Sequence, residues 1–202
     1  MRLRSFLICI CCLSLFACKE KQKSSSAEEK TTPAVPVQVV DTSERYFSIR
    51  EYFDDQWKTR RGSPYTLLKM HIVNGKADSA YVGLDSALWF SMRAPFDAAD
   101  ISDKKFLGLY RFDSFNDETT ETTHLYYEAI NPDLYLQKMD ISADAYNNRV
   151  RSIYMETKSV KDGHQMSQKL QYIPDRIFQI QEYEKIEGQP EKNTRLEYRF
   201  NY

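Results

Sequence analysis

Thr194-Arg195-Leu196-Glu197-Tyr198-Arg199-Phe200-Asn201-Tyr202 decides the fold. Successive side chains of a strand point to opposite sides. Leu196, Tyr198, Phe200 and Tyr202 therefore share one face, and Arg195, Glu197, Arg199 and Asn201 the other. One face has to be covered and the other can meet water. The same period of two runs back to Phe106 and predicts seven strands: 106–115, 121–130, 134–142, 149–158, 166–173, 176–186 and 194–202. Turn signals part them at Asn116-Asp117, Asn131-Pro132-Asp133, Asn147-Asn148, Asp162-Gly163, Pro174-Asp175 and Gly188-Gln189-Pro190. Connections this short join antiparallel neighbours, so the strands form a meander.

Upstream, 65–73 and 76–84 flank Asn74-Gly75, a strong hairpin signal. Asp85 or Ser86 opens a short helix that Pro95 should stop, and 97–103 reads as a further helical turn. Earlier still, Tyr46, Ile49, Tyr52, Phe53 and Trp57 recur at helical spacing, forming one apolar stripe. Thr42 or Ser43 can cap that helix, Glu44 suits its first turn, and Gly62 and Pro64 end it. A sheet with one polar face needs a cover on the other, and this helix is the available one. The expected fold is α+β and mainly antiparallel β. An N-terminal helix packs on a curved meander sheet or half-barrel of about seven to nine strands, with Tyr46, Ile49, Tyr52, Phe53 and Trp57 facing the core or a ligand.

Composition agrees. The chain has 14 Tyr, 11 Phe and 2 Trp against 6 Gly, which suits twisted sheets with half-wet faces. The 28 basic and 29 acidic residues nearly balance, so nucleic acid is not an expected partner.

The first residues carry an address. Arg2 and Arg4 precede an apolar run from Phe6 to Phe16, too short for a bilayer span, which takes about 20 residues. Leu15-Phe16-Ala17-Cys18 then has the form of a lipobox, with cleavage between Ala17 and Cys18 and lipid on Cys18. An ordinary cleaved signal leaving a free thiol, or an uncleaved anchor, is the competing reading. The other cysteines, Cys9, Cys11 and Cys12, leave with the signal, so the mature chain has no disulfide and no cysteine metal site. Lys19 to Val40 is charged, Ser-rich and Pro-containing, a tether with a mean reach of about 25 Å. The expected organisation is a signal at 1–17, lipidated cysteine and tether at 18–41, and a single α+β domain at 42–202.

The chain resembles a group of small envelope lipoproteins of Bacteroidota type. The resemblance rests on the lipobox, the helix ending Asp55-Gln56-Trp57, the hairpin Val73-Asn74-Gly75-Lys76, the turn Ala99-Asp100-Ile101-Ser102, and the run Leu170-Gln171-Tyr172-Ile173-Pro174-Asp175. It implies an envelope location and this fold, and no particular chemistry. Lys19-Glu20 lacks the aspartate that can retain a lipoprotein at the inner membrane, which points to the outer membrane.

No sequence motif brings chemistry together. His71, His124 and His164 sit in three separate segments, without HExxH or His-x-His spacing. Asp85, Asp97, Asp100 and Asp103 could gather calcium, but the EF-hand pattern fails and helix capping accounts for three of them. Asp117, Glu118 and Glu121 read as a solvated turn. Nucleophile elbows and phosphate loops are missing from the sequence. Asp78-Ser79-Ala80 and Asp85-Ser86-Ala87 resemble a short O-glycosylation sequon, making Ser79 and Ser86 candidate acceptors.

The expectation is therefore a lipid-anchored envelope protein acting as a binding or interaction module, not an enzyme, with no catalytic residue, metal or cofactor implied. Its partners are the membrane through its anchor and an envelope protein or a lipid. A carrier-like half-barrel for a hydrophobic ligand, and a surface enzyme or enzyme accessory without a recognisable motif, are the alternatives.

Overall fold

The computed structural model describes residues 45–200. Ala17, Cys18, the tether, Thr42, Ser43, Glu44, Asn201 and Tyr202 lie outside the described residues.

Helix α1 (Ile49–Arg60) begins at Ile49, so neither Thr42 nor Ser43 caps it. The cap is Ser48, whose hydroxyl accepts from the Glu51 N–H at 3.3 Å. A second acceptor arrives from elsewhere in the chain: the Asp100 carboxylate takes the Arg50 N–H at 2.8 Å and the Ser48 hydroxyl at 3.3 Å. Together they satisfy first-turn donors that a helix leaves unpaired. Tyr46 thus precedes the helix, outside regular secondary structure, yet is buried, and its hydroxyl donates to the Tyr110 carbonyl at 3.2 Å. Gly62, at φ +90°, lies two residues past α1, in a conformation glycine adopts at low cost.

The hairpin forms as expected from strands β1 (Thr66–Val73) and β2 (Lys76–Gly83), with positive φ at both Asn74 and Gly75. Helix α2 (Ser86–Ala98) is capped by Asp85, which accepts from the Leu88 N–H at 2.8 Å. Pro95 does not stop α2 but lies inside it. Its missing N–H leaves only the Ser91 carbonyl without a helical donor, and Ser91 is on the exposed side, where water can serve it. Phe96, one residue further, is fully buried and holds the last turn down. The helical turn expected at 97–103 is displaced. Asp97 belongs to α2, and a short 3₁₀ turn follows at Lys104–Phe106, capped by Asp103.

Seven strands then alternate with tight turns: β3 (Tyr110–Asp117), β4 (Thr122–Ala129), β5 (Leu136–Asp144), β6 (Val150–Lys161), β7 (His164–Ile173), β8 (Ile177–Ile186) and β9 (Lys192–Phe200). The first turn falls at 118–121, beyond the Asn116-Asp117 signal, because the Asp117 carboxylate accepts from the Thr119 N–H at 2.9 Å and the Thr120 hydroxyl at 2.8 Å. All pairings are antiparallel, in the order β2-β1-β9-β8-β7-β6-β5-β4-β3. The sheet is open and curved, and β1 joins it by pairing with the last strand, Leu67 opposite Phe200.

Both helices pack on one face. Phe53 has no exposed surface, and its ring centroid lies 5.0 Å from Tyr172, 5.3 Å from Phe178, 5.4 Å from Phe96 and 6.1 Å from Trp89. The contacts with Tyr172, Phe96 and Trp89 are edge-to-face and that with Phe178 is stacked, and aromatic pairs in such geometries add about 0.5–1.5 kcal/mol each beyond burial. Arg93, buried on α2, ties the helices together. It pairs with Asp54 of α1, with Asp97 at 2.8 Å, and donates to the Arg50 carbonyl at 3.2 Å. Arg60 does the same for α1 and the β7–β8 turn, meeting Asp175 at 2.5 Å.

One residue breaks the alternation of β9. Glu197, on the outward face, is only 2% exposed. It sits opposite Met70 and Gln179 and pairs with Arg199 and, at 3.9 Å, with Arg195. Burying that carboxylate is tolerated because guanidinium groups on its own strand neutralise it.

Candidate functional site

The apolar stripe faces protein. Tyr46, Ile49 and Phe53 are buried, and Tyr52 and Trp57 are partly buried against the same core. Trp57 stacks on Trp89 at 5.8 Å and Tyr52 meets Tyr172 at 6.1 Å. Burial raises the phenols of Tyr52, Tyr110 and Tyr127 to about 12, and that of Tyr172 further. These residues fill the concave side of the sheet. A hydrophobic ligand there would have to displace Phe53 and its neighbours.

The four aspartates weighed for calcium each have a structural partner. Asp85 and Asp103 cap helical segments, Asp97 pairs with Arg93, and Asp100 caps α1 and accepts from the Ser102 N–H at 2.7 Å. Among the described residues no group of three or more His, Cys, Asp or Glu could hold a metal ion. Ser79, on edge strand β2, and Ser86, the first residue of α2, are both exposed.

Two histidines gain carboxylate partners. His124 on β4 places Nδ1 2.8 Å from Asp140 on β5 and Nε2 3.1 Å from the Thr122 hydroxyl. Thr122 in turn shares a 2.7 Å hydrogen bond with Thr120, which bonds Asp117. Phe115 lies parallel over the imidazole at 4.8 Å. The order carboxylate, imidazole, hydroxyl is that of a nucleophilic triad. Thr122, however, is 4% exposed and its hydroxyl is already engaged by Thr120, so no substrate reaches it. His164, at the start of β7, meets Glu184 of β8 at 2.9 Å, and Lys192 approaches the same carboxylate at 3.5 Å.

Glu184 also borders an open cleft of about 580 Å³ across the ends of β6, β7, β8 and β9. One row of residues crosses all four strands: Lys158 opposite Ser167, Ser167 opposite Tyr183, Tyr183 opposite Asn193. The long strands β6 and β7 make this possible by extending the sheet to the 162–163 turn. Tyr183 is 39% exposed, with its hydroxyl accepting from Gln181. Lys185 pairs with Glu191 at 3.1 Å and Lys192 with Glu184, whereas Lys158 makes no ion pair among the described residues. The cleft therefore offers an aromatic face, neutral hydrogen-bonding groups and one unneutralised cation.

Sequence reading places none of these residues together. The expected strands contain Lys158, Ser167 and Tyr183 but leave Asn193 just outside 194–202, and only the register across three hairpins aligns the four. No protein-family model, curated protein or solved structure matches the chain.

Proposed function

We propose that the chain is a lipid-anchored protein of the cell envelope whose domain is a binding module, engaging its partner through solvent-facing groups of the sheet. The Leu15–Cys18 lipobox and the tether behind it support the anchor, and Lys19-Glu20 supports the outer membrane. The observation that carries the binding reading is the filled concave side. Ile49, Phe53, Trp89 and Phe178 are fully buried, so recognition falls to the outer surface and the cleft. An enzyme would have to draw on Glu184 and His164, but Glu184 is held between the His164 ring and the Lys192 ammonium, and the His124 relay ends in an inaccessible hydroxyl.

Metabolic labelling with a radioactive fatty acid tests the anchor, with Cys18→Ala beside the wild type. Label on the wild type alone, with the protein in the membrane fraction, is the expected result. A wild type that stays unlabelled and fractionates as soluble protein would overturn the reading.

A further inference from the structure

The cleft over β6–β9 has the chemistry of a saccharide site, and we infer that its ligand is an acidic oligosaccharide, a chain of pyranose units bearing carboxylate or sulfate groups. This deepens the binding-module reading and rests on it, while drawing on a different part of the molecule from the anchor.

The first ground is shape. At about 580 Å³ the cleft lies within the usual range of small-ligand sites, about 300–1,000 Å³. Its floor is a straight row, Lys158, Ser167, Tyr183 and Asn193, one residue from each of four neighbouring strands. Strands lie about 4.8 Å apart, so the row repeats on the length scale of a sugar unit and spans about 14 Å. A linear glycan crossing the strands would meet one side chain per ring.

The second ground is chemistry. Tyr183 presents an open ring, on which the C–H face of a pyranose can stack. Gln165, Ser167 and Asn193 border it with groups that both donate and accept, matching sugar hydroxyls. Charge then narrows the ligand. Three lysines and two glutamates line the cleft, and the two glutamates are taken by Lys185 and Lys192. Lys158 is left at one end of the row to receive an anion.

The third ground excludes a strand-like peptide. The backbone of β7 and β8 is paired on both sides, so an extended peptide finds no free ladder there. Side chains alone make the surface, which favours a ligand recognised through hydroxyls and charge.

Full-length protein in detergent, titrated with trigalacturonate by calorimetry, tests this, with maltotriose and a short polyglutamate as comparisons. The expected result is trigalacturonate binding that weakens with salt, maltotriose binding more weakly, and polyglutamate not competing. Tyr183→Ala and Lys158→Ala should each weaken binding about tenfold, with unchanged far-ultraviolet circular dichroism, and Tyr183→Phe should retain most of it. Absence of trigalacturonate binding up to millimolar concentration, equal binding of polyglutamate, or indifference to both alanine variants would each overturn the inference. Fatty-acid labelling of the same preparation separates the two readings. Labelled protein that ignores trigalacturonate leaves the module reading standing. Unlabelled protein that binds it removes the anchor and keeps the site.

Discussion

Raising the pH should unfold this domain through its buried tyrosines. Tyr110 and Tyr127 are 4% and 1% exposed, and burial lifts their phenols from 10 to about 12. In the unfolded chain both would ionise near 10. The folded state keeps its protons where the unfolded state releases them. This contribution to stability is therefore complete below pH 10 and is lost as pH climbs from 10 towards 12. A two-unit shift corresponds to about 2.7 kcal/mol per tyrosine at most, of which about 1.4 kcal/mol is gone by pH 11. The pair thus accounts for about 3 kcal/mol at pH 11, a large part of a typical 5–15 kcal/mol stability. Tyr154 and Tyr172, lifted further by burial, push the same way. Urea unfolding followed by circular dichroism at pH 8, 9, 10 and 11 measures the loss, and tyrosinate absorbance reports ionisation. Tyr110→Phe is the informative variant, because its side chain makes no hydrogen bond among the described residues, whereas Tyr127 accepts from the Phe47 N–H at 3.4 Å. It should leave stability at pH 8 nearly unchanged and remove about 1.4 kcal/mol of the fall between pH 9 and 11. Tyrosines ionising near 10 in a domain whose stability is flat to pH 11 would refute the reasoning.

Phe53→Ala should cost about 4 kcal/mol in urea unfolding and lower Tm by about 8–16 °C, since the ring is fully buried among four others. Phe90→Ala, at a position 52% exposed, should stay within about 0.5 kcal/mol in the same assay. Asp100→Ala should cost about 2 kcal/mol and speed amide exchange at Arg50, because the buried carboxylate serves both that N–H and Ser102. Arg93→Met should destabilise by about 2 kcal/mol, less than a fully buried pair would, because Asp54 is more than half exposed.

What could be read ahead of the structure was local. The β1–β2 hairpin, the seven strands of the meander and most of their turns follow from alternation and from Asn-Gly, Asp-Gly and Pro-Asp pairs, since both signals act within a few residues. The start of α1 was not legible, because half of its cap is Asp100, fifty residues away and delivered by the fold. The place of β1 in the sheet was equally hidden, for its partner is the last strand. Glu197 alternates as a solvent residue should, and is buried only because Arg195, Arg199 and the neighbouring strands close over it. His124 and Asp140 become a diagonal pair once the β4–β5 register sets Tyr126 opposite Asp140. Writing out that hairpin register was the one signal able to reveal the contact from sequence.

The pairing of β1 with β9 also sets the order of assembly. Strand β1 is among the first parts of the domain to leave the ribosome, and its neighbour in the sheet is the final strand, Lys192–Phe200. The hairpin cannot be stitched to the meander until some 120 further residues have been made, and loop closure over such a distance is slow. A nascent chain lacking β9 holds two separate pieces with raw edges. Until β9 pairs, the β1–β2 hairpin and the β3–β8 strands each keep one open edge, at β1 and at β8, and the single strand β9 closes both.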